Sequence, residues 1–428
     1  MRRRLTGADS ADFHTRTAER YALLLGDSKG VLMKVGQMLS YMPNNFMVEP
    51  EHRPAYEEAL VNLLNRAPPM APELAEAVLE RELGRARLQL LAEFDPEPIA
   101  TASIGQVHSA MLRDGRAVAI KIQYPGVRDA IAADLKNLGM LAAFIGSLSS
   151  LVPKGNSRVD FRGMADELSV RVREELDYRL EAASQDEFSR LYRGHPFIHV
   201  PGVIREMCTE RVLCQELVEG YSWEEALAAD QELRDQWAEA VYRFVHGSGE
   251  RFLVFPADPH PGNYLFHDDG SISALDFGCV KRFTPEQARY KANIGIPCVN
   301  GDALGTWQAC VDSGLIGASD PVTPEEALDY WRGYIDTLWS GPDCALTPEL
   351  AAAWMKRNFS PHGPSANFLR YSAMEPVYTL LGRIEVGTVA LMAQLRANID
   401  LQSIGAEYVL EAPPITRMGK LEQEFFTR

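Results

Sequence analysis

Asp258-Pro259-His260-Pro261-Gly262-Asn263, followed by Asp276-Phe277-Gly278, are the segments on which the reading of this chain turns. Asn263 follows Asp258 by five positions, and Asp276 follows Asn263 by thirteen. Phosphoryl transfer from a metal-bound nucleotide needs such a trio. One Asp positions or deprotonates the nucleophile, an Asn holds one Mg²⁺, and a second Asp holds Mg²⁺ against the phosphates. Pro259 and Pro261 fix φ and stiffen the first segment, which suits a reaction that depends on positioning. A loop rich in Pro and Gly is usually only a turn, but the two spacings together favour the chemical reading. His260 invites a general-base role. Asp258 already occupies that position, so His260 is read as structural.

Upstream, Ala117-Val118-Ala119-Ile120-Lys121-Ile122 reads as a β-strand, and Asp114-Gly115 before it as a hairpin turn. Lys121 suits a partner for the α/β-phosphates of ATP, although a strand Lys alone is usually solvent-facing. Such a Lys needs a helix carboxylate to hold it. The run Glu174-Glu175-Leu176-Asp177-Tyr178-Arg179-Leu180-Glu181 offers four, with a solvated acidic face as the plain alternative. Ala102-Ser103-Ile104-Gly105-Gln106-Val107-His108 stands where a glycine-rich phosphate cover is expected. Its single Gly makes it stiffer than a three-glycine loop. Glu216-Leu217-Val218-Glu219-Gly220 closes a later hairpin, whose backbone groups are candidates for an adenine edge.

At 428 residues the chain is long enough for two cores, and its net charge of −16 argues against nonspecific binding to nucleic acid. Leu138 to Val152 is apolar, but it is broken by Gly and Ser and is shorter than the roughly 20 residues that span a bilayer. The six cysteines show no metal-ligand spacing and read as reduced thiols.

Residues 10–62 read as mostly helical, and Arg66-Ala67-Pro68-Pro69 as a linker. A helix is expected from Pro72 to Leu83, strands from Ala102 to Ile122, and a long helix from Arg162 to Tyr192. A hairpin follows over Val203–Val218, turning near Thr209-Glu210. Beyond Gly220 the pattern is helical except around the Asp258 and Asp276 loops. This predicts an α+β fold in three parts: a helical extension over 1–68, a strand-rich lobe over 69–219 and a helical lobe over 220–428. Nucleotide is expected in the crevice between the lobes.

Taken together these motifs resemble the UbiB/AarF/ADCK atypical kinases. The resemblance rests on Lys34-Val35-Gly36-Gln37, Ala102 to His108, Val118-Ala119-Ile120-Lys121, Glu175-Leu176-Asp177, Asp258 to Asn263 and Asp276-Phe277-Gly278. It implies a protein-kinase-like fold whose helical extension packs over the active site and brings Lys34 and Gln37 near the nucleotide. It further implies ATP and Mg²⁺ as cofactors, Asp258 as the catalytic Asp, and Asn263 and Asp276 as metal ligands. Lys121 would bind phosphate and pair with Glu181 as first choice or Glu175 as second. Ala102, Ser103, Gly105, Gln106 and Glu216 would complete the nucleotide contacts.

The family resemblance points to an ATPase, or to a kinase of small lipid-like molecules tied to isoprenoid quinone biosynthesis. A lipid or quinone precursor and a membrane surface are the candidate partners beyond ATP. The expected location is cytoplasmic with peripheral membrane contact. Two other readings stand beside it. One is an ATP-binding scaffold of a lipid-biosynthesis complex; the other is an aminoglycoside- or choline-type kinase, which shares the Asp-x-x-x-x-Asn loop but not the Lys34 to Gln37 segment.

Overall fold

The computed structural model describes residues 70–427, apart from 103, 130, 133–174, 339–344, 361–362 and 373–375. The expectations on Lys34, Gln37, Ser103 and Leu138 to Val152 fall outside the described residues. The chain forms two compact units. The first contains the described residues up to 183 together with Gly202–Leu217, and the second contains Ser184–Pro201 and the chain from Val218 onward.

The first unit is built on an antiparallel sheet in which Leu91–Ala102, Gly105–Leu112, Ala117–Gln123 and Val212–Glu216 lie side by side in that order. Helix α1 (Pro72–Leu88) precedes it. Pro72 opens that helix at a position where a missing N–H costs nothing, Glu73 sits in its first turn, and Gly84, at φ +67°, kinks it before Arg85. Ala75, Val78, Leu79 and Leu83 recur at helical spacing and pack on Val118, Ile120 and Ile122. The strands are β1 (Leu91–Ala102), β2 (Gly105–Leu112) and β3 (Ala117–Gln123). Gly115 turns the β2–β3 hairpin at φ +89°, as the Asp-Gly pair predicts. Strand β1 was not anticipated.

Of the long helix expected from Arg162 to Tyr192, residues 162–174 lie outside the described residues; Leu176 and Asp177 are not helical, and α2 runs over Tyr178–Leu191. Strand β4 (Ile198–His199) follows. In place of the full hairpin expected over Val203–Val218, Val203 makes a single bridge to Gln215 on β5 (Val212–Glu216), with a 3₁₀ turn at Arg205–Met207.

In the second unit, α3 (Gln231–Tyr242) passes through a π-helical turn, Arg243–Gly247, into α4 (Ser248–Phe252). Four short strands then frame the loops of interest: β6 (Val254–Pro256), β7 (Tyr264–Phe266), β8 (Ile272–Ala274) and β9 (Val280–Arg282). β6 pairs with β9, and β7 with β8. Helices α5 (Tyr290–Val299), α6 (Ala303–Asp312) and α7 (Pro324–Leu338) carry a satellite core around Cys310 and Tyr330. Then come α8 (Pro376–Gln394), α9 (Leu401–Val409) and α10 (Arg417–Thr427). Trp237, Phe244, Phe266, Phe277 and Trp354 lie in the main core of this unit. Among the described residues no helix is long and apolar enough to cross a membrane. The described cysteines are free, and burial raises the thiol pKa of Cys208 and Cys298 to about 11 and that of Cys310 to about 12, as befits inert thiols.

His195 packs among Phe197, Phe425 and Phe426 with its side chain fully buried. Its Nδ1 accepts from the amide of Ile198 at 3.2 Å, which leaves the proton on Nε2. Burial, then the charges of Arg251 and Arg243, hold its pKa down at about 3. Glu422 lies 4.0 Å away, but its other oxygen is engaged by both arginines. Because the folded pKa lies below the unfolded one, the unfolded chain binds the extra proton. The contribution is present above about pH 6.5 and is lost on acidification, by about 2 kcal/mol between pH 7 and 5. Urea denaturation over that range should show this loss, with a flatter slope in His195→Leu.

Candidate active site

In the first unit the site residues sit on β3, α2 and the β1–β2 turn. Val118, Ile120 and Ile122 point into the core, so alternation puts Lys121 on the opposite face of the sheet. Lys121 Nζ donates to Glu181 Oε1 at 2.8 Å, with side-chain exposures of 14% and 5%. The ammonium also lies 5.1 Å from the centre of the Tyr178 ring. Tyr178 was missed in the sequence, although its place three residues before Glu181 puts both on one helix face. Glu175 and Asp177 precede α2 and are half-buried. Asp177 is paired with Arg179 at 2.7 Å, which holds its carboxyl below the usual range.

The β1–β2 turn pairs Ala102 with Gly105. A Cβ at Gly105 would lie 2.2 Å from the carbonyl oxygen of Ile122, so the close approach of β3 already demands glycine here. Gln106 requires a correction. Its side chain is fully buried and committed to the fold, not turned toward a nucleotide. Asp95 O can only accept, so His108 donates to it from Nδ1 at 2.9 Å. His108 Nε2 then accepts from Gln106 Nε2 at 2.8 Å, and Gln106 Oε1 accepts from the amide of Met70 at 2.8 Å. Every polar group in this chain is satisfied by a neutral imidazole, and burial lowers the His108 pKa accordingly. Glu216 is exposed. Its amide donates to Gly202 O and that of Leu217 to Ala117 O, so neither N–H is left for an adenine edge.

In the second unit the Asp258 loop leaves β6 and the Asp276 loop leaves β8. The two are tied together: Ala257 N donates to Cys279 O at 2.8 Å and Leu275 N to Asn263 O at 2.9 Å. Asp258 O accepts from His260 N at 2.8 Å and from Asn263 Nδ2 at 2.9 Å. That second bond fixes the Asn263 amide so that its oxygen is the end offered to a cation. Asp276 Oδ1 accepts from Gly278 N at 3.0 Å, which orients the carboxylate. His260 Nδ1 accepts from Gly262 N at 3.1 Å and caps the 3₁₀ turn Pro261–Asn263, a structural role. Phe277 is buried against Phe188 of α2, with ring centres 5.0 Å apart. Burial, reinforced by the nearby Asp258, raises the Tyr264 pKa.

Asn263 and Asp276 supply hard oxygen donors. Mg²⁺ is typically held by one or two such protein groups with phosphates and water completing an octahedron, so the donor set fits that ion. Among the described residues no cluster of three or more His, Cys, Asp and Glu side chains could form a self-sufficient cage.

Residues 62–309 match the family model of the ABC1 atypical kinase-like domain. Atypical kinase COQ8B, mitochondrial, of Rattus norvegicus is 33% identical over 287 residues, covering 67% of this chain and 52% of its own length. Atypical kinase COQ8, mitochondrial, of Saccharomyces cerevisiae is 32% identical over 304 residues, with 70% and 58% covered. The chain thus spans about half the length of these curated relatives. A solved structure described as the complex of Rv3197 with erythromycin, from Mycobacterium tuberculosis, has a TM-score of 0.68 at 29% identity, covering 94% of this chain and 97% of that one.

Proposed function

The chain belongs to the ABC1 atypical kinase-like family, and from that premise we propose that it is a Mg²⁺- and ATP-dependent phosphotransferase or ATPase. The observation that carries this is the Lys121–Glu181 pair, in which a part-buried ammonium is held by a buried carboxylate. A strand lysine ordinarily keeps its ammonium in water, and burying an ion pair is a weak route to stability. An ammonium held by a carboxylate on a neighbouring helix is, however, what the α/β-phosphates of a nucleotide require.

Each unit then carries part of the chemistry. Lys121 offsets phosphate charge, and Glu181 and the Tyr178 ring hold it in place. Asn263 Oδ1 and the Asp276 carboxylate would hold the cation. Asp258 orients the acceptor hydroxyl or water and takes its proton. A bound Mg²⁺ would supply positive charge to offset that of the phosphates.

For the acceptor, the family resemblance favours a lipid-like molecule of the isoprenoid quinone type presented at a membrane surface. A second reading, a macrolide-like small molecule, draws on the erythromycin complex of the structural relative. Purified protein should turn ATP over slowly and only with Mg²⁺. Turnover is expected to rise with anionic liposomes carrying a quinone-precursor mimic. Stimulation by erythromycin in place of the liposomes would favour the second reading. ATP binding without Mg²⁺-dependent turnover would defeat the catalytic proposal and leave an ATP-binding scaffold.

A further inference from the structure

We infer that Gly387, on α8, is a positioning residue for the Asp258 loop, and that its missing side chain holds the loop in working geometry. A Cβ at Gly387 would lie 2.5 Å from Pro259 Cγ, 3.5 Å from Cδ and 3.6 Å from Cβ. Both residues are buried and belong to the second unit. The contact is unforgiving on both sides. α8 is anchored in the main core by Ile384, Val389, Leu391 and Met392. The proline ring can yield only through its pucker at Cγ, because it is closed onto its own backbone nitrogen. Any displacement larger than that pucker change moves the Asp258–Pro259 peptide. The Asp258 carbonyl of that peptide accepts from His260 N at 2.8 Å and from Asn263 Nδ2 at 2.9 Å. A methyl group at position 387 thus reaches the base candidate directly and the metal-ligand candidate through one hydrogen bond.

Glycine is a poor residue for a helix interior, and replacing it with alanine ordinarily helps a helix. α8 contains its own control. At Gly382, on the same helix, a Cβ would have open space, with nothing within 4 Å. The same substitution should therefore have opposite consequences at two places on one helix.

The inference rests on reading Asp258 and Asn263 as catalytic base and metal ligand, so the test includes a measurement that needs no turnover. Full-chain Gly387→Ala, Gly382→Ala, Pro259→Ala and Gly387→Ala/Pro259→Ala are compared by amide hydrogen exchange and by steady-state ATP turnover. In Gly387→Ala, peptides covering 258–266 should exchange about tenfold faster than in wild type. Its kcat should fall by about 10²-fold, with KM for ATP little changed, as expected for misplaced reacting groups. Gly382→Ala should match wild type in both measurements. Because Pro259 also stiffens the loop, the double variant is read against Pro259→Ala alone: adding Gly387→Ala to a chain without the ring should cost no further exchange protection or turnover.

A Gly387→Ala protein that behaves like Gly382→Ala overturns the inference, and so does a double variant that loses exchange protection or turnover beyond Pro259→Ala. If Gly387→Ala does not fold, the double variant carries the test, because it lacks the clash; its failure to fold where Pro259→Ala folds would also overturn the inference. Faster loop exchange in Gly387→Ala with no such effect in the Pro259→Ala background, in a protein whose wild type turns over no ATP, supports the Gly387 contact and overturns the catalytic reading of the loop instead.

Discussion

Asp276→Asn is expected to lower Mg²⁺-dependent ATP turnover by about 10²- to 10³-fold, the usual effect of losing one charge-stabilising group in a phosphoryl-transfer site. The substitution is nearly isosteric. The Asn oxygen can still accept from Gly278 N, the bond that Asp276 Oδ1 now makes at 3.0 Å, so the turn should persist. Phe277 remains buried against Phe188 and Phe244. What is lost is a negative charge, and an amide nitrogen replaces one oxygen where a hard cation needs oxygen. The fold should therefore survive while the apparent Mg²⁺ affinity falls. Turnover titrated against Mg²⁺ at saturating ATP, beside a thermal melt, checks both halves of the expectation. Unchanged turnover at all Mg²⁺ concentrations would remove Asp276 from the metal site.

The parts of this protein that the sequence reveals are those where local chemistry and local structure agree. Pro72 and Glu73 announce α1, and Asp114-Gly115 announces the β2–β3 turn; both stand in the structure. The strand that carries Lys121 is legible because its residues alternate cleanly. β1 was invisible for the opposite reason. It contains Pro96 and Pro98, is rich in acidic residues and is largely exposed. It holds through pairing with β2, with the register slipping between Phe94 and Pro98. Leu176 and Asp177, which are not helical, hide in an acidic run that looks helical throughout. Gln106 was misjudged because its partners, Met70 and His108, are set by the tertiary fold. The C-terminal helices gave no chemical signal at all, and their roles depend on contacts far away in the chain.

Arg243 is the extreme case of that long-range dependence, and Arg243→Ala is expected to cost about 3–5 kcal/mol of stability. The guanidinium is fully buried in the π-helical turn. Nε donates to Glu239 at 2.7 Å, while Nη1 and Nη2 take the two oxygens of Glu407 at 2.7 and 3.0 Å. Nη1 also reaches Glu422 at 3.0 Å, and Nη2 reaches the Thr416 hydroxyl at 3.0 Å. Glu407 lies on α9 and Glu422 on α10, so one cation ties both terminal helices to the core. Gly419 leaves room for it, since a Cβ there would lie 2.5 Å from Nη2. Removing the arginine strands three carboxylates, and among the described residues only Glu422 keeps a second cation, Arg251 at 3.1 Å. An unpaired buried charge is the costly outcome, far more so than the loss of the bonds themselves. Arg243→Lys should recover little, because an ammonium cannot make the forked contact with Glu407. Replacing the charges together, as Arg243→Met with Glu239→Gln, Glu407→Gln and Glu422→Gln, should recover more than the lysine does. Urea denaturation with amide exchange of α10 separates these cases. If Arg243→Ala unfolds at the wild-type midpoint with α10 still protected, the terminal helices are held by their apolar contacts alone and the charge cluster is dispensable.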